Sequence, residues 1–67
     1  MSPFKEANQI RLQLKMKLSN YSWYSSSRLA AESDGYSIVI AVRRLDDHVR
    51  KIIPQVLEGV SIKAELA

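Results

Sequence analysis

His48 is the only histidine and follows Asp46 and Asp47. An imidazole beside two carboxylates could ligate a divalent cation or act as a tuned base. Metal sites draw on three or four protein ligands, and consecutive residues rarely converge on one ion, so the triplet reads as a capping pair beside a surface histidine. Ser25, Ser26 and Ser27 offer hydroxyls. A serine nucleophile needs a positioned base and an oxyanion hole, and nothing in the chain forms a nucleophile elbow. The only glycines are Gly35 and Gly59, which leaves no glycine-rich phosphate cradle. With no cysteine there is no disulfide, thiolate metal site or catalytic thiol. The chain is expected to be non-enzymatic, with no catalytic residue, metal or cofactor.

Two surface groupings carry more weight. Lys5, Arg11, Lys15 and Lys17 precede the aromatic run Tyr21, Trp23 and Tyr24, and Arg43, Arg44, Arg50 and Lys51 follow it. Cations neutralise phosphates and aromatic rings stack on bases, the two ingredients of single-strand binding. Lys15, Lys17, Trp23, Arg43 and Arg44 are therefore the candidate nucleic-acid contacts. Ten Lys and Arg against seven Asp and Glu give a net charge of +3, which permits a polyanion without demanding one. The same residues also read as solvated helix faces and core aromatics.

The second grouping is Leu12 and Met16, one helical turn apart and off the main apolar stripe. They form an exposed apolar patch and are the candidate oligomer interface. A non-catalytic interaction or regulatory module, docking a second copy or another protein, is the preferred reading, and a small nucleic-acid-binding protein the alternative.

The elements that place these residues begin with Ser2 and Pro3, an N-cap and an N1 proline, with Glu6 in the first turn. Phe4, Ala7, Ile10, Leu14 and Leu18 recur at spacings of three and four, predicting a helix over 3–18. A strand competes for 10–18, because Ile10, Leu12, Leu14, Met16 and Leu18 alternate with polar residues. The absence of β-branched or aromatic residues over 11–19 favours the helix.

From Asn20 the aromatics and serines favour extended chain, Asp34-Gly35 predicts a hairpin turn, and Tyr36–Arg43 reads as a central strand apolar on both faces. Asp46 and Asp47 predict the cap of a short helix through Val49, Ile52 and Ile53, disrupted at Pro54, before Gln55 to Leu57 and a stop at Gly59. Val60 to Leu66 alternates as a final strand, expected parallel to the second, beside it or beyond the first. The expected fold is a single α+β domain over 1–67, in the order α-β-β-α-β, with a three-stranded sheet and helices on one face.

Over residues 34–65 the DG turn, the I-V-I-A-V strand, the I-P and the G-V-S-I-K-A-E ending resemble a family of small uncharacterised bacterial domains. In that family a GVG precedes the hairpin, where this chain has Ser25-Ser26-Ser27 and Arg28. The resemblance implies the fold and no enzyme activity.

Sixty-seven residues allow one core, and a chain of that size buries only about 60% of its unfolded surface, so self-association would stabilise it noticeably. Met1 to Leu18 lacks the continuous apolar run of a signal peptide, and no stretch is apolar for long enough to span a bilayer. A cytoplasmic location is the default expectation.

Overall fold

The computed structural model describes residues 3–33 and 35–67. Helix α1 spans Pro3–Leu18, which settles the helix-or-strand ambiguity of 10–18; the expected Ser2 cap lies outside the described residues. Ala7, Ile10, Leu14 and Leu18 are buried, so the spacing of three and four rather than the alternation governs the packing.

Strands β1 (Tyr24–Glu32) and β2 (Gly35–Val42) form the antiparallel hairpin. Glu32 pairs with Gly35, so Gly35, expected in the turn, is instead the first residue of β2. Asp34 itself lies outside the described residues. Gly35 has φ +145°, a conformation that residues with a Cβ rarely adopt.

Helix α2 spans Asp47–Ile52, and Asp46 alone is its N-cap, accepting a 3.0 Å hydrogen bond from the Val49 N–H. Strand β4 (Val60–Leu66) runs parallel to β2 and directly beside it.

The expected three-stranded sheet is corrected to four strands in the order β1-β2-β4-β3, and the element order to α-β-β-α-β-β. The added strand is β3 (Val56–Leu57), antiparallel to β4. Pro54 cannot donate a backbone hydrogen bond, so the helix stops before it. Glu58 and Gly59 then adopt φ +51° and +82°, the left-handed pair that a two-residue hairpin turn needs. Gly59 thus turns a hairpin instead of ending a helix.

Both helices pack on one face. Ile38, Ile40 and Val42 of β2 meet Ile10, Leu14 and Leu18 of α1 and Val49 and Ile53 from α2 and its C-cap, with Ile62 of β4 completing the cluster. Trp23 closes it at the end where α1 gives way to β1.

Candidate functional site

On the other face of β2, Ser37 and Val39 are also buried, and the expected double-sided burial holds there. Among the described residues no second layer of helices covers them. Arg28 of β1 reaches across β2 to Glu65 of β4, with Nη1 to Oε1 at 2.6 Å. Lys63 of β4 reaches back to Glu32 of β1 at 3.0 Å, and the buried Ser37 hydroxyl donates to the same carboxylate at 2.8 Å. Arg28 and Lys63 both pair with Val39, so their aliphatic stems flank it while the charged heads stay wet. Such exposed ion pairs contribute little energy individually. What they supply here is cover for an apolar central strand.

Lysine and serine hydrogen bonds, that from Lys63 foremost, hold the Glu32 carboxyl below its usual 4.5. The Val49 N–H likewise holds Asp46 below its usual 3.8. A depressed folded-state pKa means that the fold favours the ionised form. The resulting stabilisation is complete above the ordinary carboxylate range and is lost as pH falls toward the depressed values. The thermal midpoint is expected to fall between about pH 5 and pH 3. Replacing Glu32 by Gln and Asp46 by Asn should flatten that fall, as differential scanning calorimetry would show.

The basic candidates do gather at one end. Lys15 and Lys17 are exposed in the last turn of α1, and exposed Arg43 and Arg44 follow β2. Arg43 is tied to the same end through its N–H, which donates to the Trp23 carbonyl at 2.7 Å. Arg44 Nε is already paired with Asp46 Oδ2 at 3.0 Å. Trp23 departs from the expectation: it is only 4% exposed, so its ring serves the core and offers no free face to a base. The accessible ring is that of Tyr21, stacked on Trp23 at 4.9 Å and itself 38% exposed.

His48 and Asp47 are exposed, and among the described residues no three His, Cys, Asp or Glu come together as a metal site. Ser25 and Ser26 are exposed on β1, while Ser27 accepts hydrogen bonds from Arg11 at 3.5 Å and Tyr24 at 3.3 Å. None of the three serines has the histidine as a partner among the described residues. A groove of about 330 Å³ runs between α2 and β4 past Leu45, Ile53, Pro54 and Ile62.

Leu12 and Met16 lie on the pole of α1 opposite its buried stripe, 43% and 76% exposed. The four-residue ion network of β1 and β4 went unseen in the sequence, although Arg28 with Glu32 and Lys63 with Glu65 each stand on one face of a strand.

Among the described residues no helix is long and apolar enough to cross a membrane. No protein-family profile, curated protein or solved structure matches the chain. The structure defines the class as a small α+β domain with a four-stranded mixed sheet.

Proposed function

We propose that the chain is a non-catalytic protein-interaction module that associates with a second copy of itself. The observation that carries this reading is surface left without a partner among the described residues: the outer edge of β1, which pairs with no described strand, and exposed apolar Leu12 and Met16 on the outer pole of α1. A domain of 67 residues also gains more from association than a larger one would. Sedimentation equilibrium should give twice the chain mass of 7.6 kDa at micromolar concentration. A monomer throughout the accessible range would remove the reading.

A second reading, a small nucleic-acid-binding protein, is favoured by the gathering of Lys15, Lys17, Arg43, Arg44 and the accessible Tyr21 at one end. Binding of short single-stranded DNA or RNA should then weaken steeply with salt, and replacing Arg43 and Arg44 by alanine should lower the affinity and the salt slope. Affinity unchanged by those substitutions would detach the cluster from the reading.

A further inference from the structure

Strand β1 is the long free edge of the sheet: nine residues, paired with β2 on one side and with no described strand on the other. Alternate residues of an edge strand turn unpaired N–H and C=O groups outward, a template for another strand. Natural edges are commonly blunted by charged side chains, lysine above all, by proline or by bulges. The sequence Tyr24–Glu32 contains neither lysine nor proline, its one irregularity lies at the far end, between Tyr24 and Ser26, and its two charges, Arg28 and Glu32, are each paired within the chain. The opposite edge strand, β3, has only two residues.

We propose that a second copy of this chain docks on this edge, β1 against β1 antiparallel, about a dyad at Ala30, to make one continuous eight-stranded sheet. This inference rests on the reading of the chain as a self-associating module, and it seats the second copy on the sheet edge instead of the pole of α1.

Charge selects that register. The only charged residues of β1 are Arg28 and Glu32. A dyad at Ala30 sets residues 28–32 of β1 against 32–28 of the second copy, so that Arg28 stands opposite Glu32, Glu32 opposite Arg28 and Leu29 opposite Ala31. Moving the dyad to Arg28 opposes two guanidinium groups, and moving it to Glu32 opposes two carboxylates, both unfavourable across a strand pair. Within one chain Arg28 already holds Glu65, and Glu32 already holds Lys63. The chosen register links these pairs into two alternating rows across the dyad, each running Glu65, Arg28, then Glu32 and Lys63 of the second copy.

The helix layer fits the same dyad. Helix α1 lies across both β1 and β2. A dyad half a strand spacing outside β1, with α1 over the β1–β2 boundary, sets the two α1 helices two strand spacings apart, about 10 Å. That is the distance at which helices pack. Phe4 lies on the flank of α1 shared with Arg11, which bonds to Ser27 of β1. It is 50% exposed and packs edge-on against Tyr36 at 5.6 Å. Tyr36 pairs with Ala31, so Phe4 stands at the level of the dyad, where its exposed edge meets the second copy.

The test compares dimer dissociation constants by sedimentation equilibrium, with circular dichroism confirming the fold of each variant. Arg28→Glu with Glu65→Arg keeps the pair within the chain but opposes two carboxylates across the dyad, the one introduced at position 28 and that of Glu32. This swap is expected to weaken the dimer about thirtyfold, from two contacts turned from attraction to repulsion. Adding Glu32→Lys with Lys63→Glu restores complementarity at both contacts and should return the constant to within about threefold of the wild type. Leu12→Asp with Met16→Asp should leave the dimer intact. A dimer indifferent to the first swap but dissociated by the Leu12 and Met16 substitutions would overturn the edge assignment while leaving self-association standing. A wild-type chain that never dimerises would overturn both.

Discussion

Replacing Trp23 by alanine is expected to lower stability by about 3–5 kcal/mol, the range for removing a buried aromatic side chain. The ring is 4% exposed and belongs to the cluster formed by Leu18, Ile40, Val42 and their neighbours. The ring also carries Tyr21, a contact that alanine loses, whereas the bond from the Arg43 N–H to the Trp23 backbone carbonyl survives the substitution. A chain of 67 residues has a total stability of about 3–10 kcal/mol by the usual per-residue scale, so the loss takes most or all of it. Urea denaturation followed by far-UV circular dichroism is the measurement, since the substitution removes the only tryptophan. Trp23→Phe should recover most of the midpoint. An unchanged midpoint for Trp23→Ala would show that the indole is not part of the core.

The same residue bears on the nucleic-acid reading. Lost binding in Trp23→Ala would follow from lost folding, whereas Tyr21→Ala removes the accessible ring of the pair and leaves the buried one. Tyr21 is therefore the residue whose substitution tests stacking.

Local patterns make much of the fold legible in the sequence. Pro3 and the spacing of Ala7, Ile10, Leu14 and Leu18 marked α1, and the β-branched run Ile38, Val39, Ile40 marked a central strand. Asp46 announced α2 by the same hydrogen bond that its side chain makes in the structure. What stayed hidden depends on partners distant in sequence. The cover over Val39 comes from Arg28 and Lys63, held by Glu65 and Glu32 at separations of thirty-seven and thirty-one residues, and no local period relates the partners. Strand β3 has two residues, too few to show alternation, and its existence depends on the positive φ angles of Glu58 and Gly59.

The candidate site divides in the same way. The exposure of Leu12 and Met16 followed from helical geometry alone, because residues off the buried stripe of a surface helix face solvent. The placement of Trp23 did not, because an aromatic beside serines suits a core and a stacking surface equally well. Its tight turn after Leu18, with Tyr21 N–H bonded to the Leu18 carbonyl at 3.0 Å, folds the indole under the helix end.

Ile40→Ala should be nearly as damaging, at about 3–4 kcal/mol within the usual range for truncating a buried isoleucine. Ile40 is fully buried in β2, and its neighbours across the sheet on the helix-facing side are Ser27 and Ala64, both small. Neither can swing into the space that the isoleucine leaves, and β2 is held between β1 and β4, so the cavity persists and its cost adds to the lost burial. Ile62 provides the comparison. It is 6% exposed and lines the open groove beside Ile53 and Pro54, where side chains and water can fill the gap. Ile62→Ala is therefore expected to cost less than Ile40→Ala, and Ile40→Val only about 1 kcal/mol. Paired urea titrations of the three variants decide the matter. If Ile62→Ala proved as costly as Ile40→Ala, the groove would be closed in solution, and the small residues beside Ile40 would not be what makes its loss expensive.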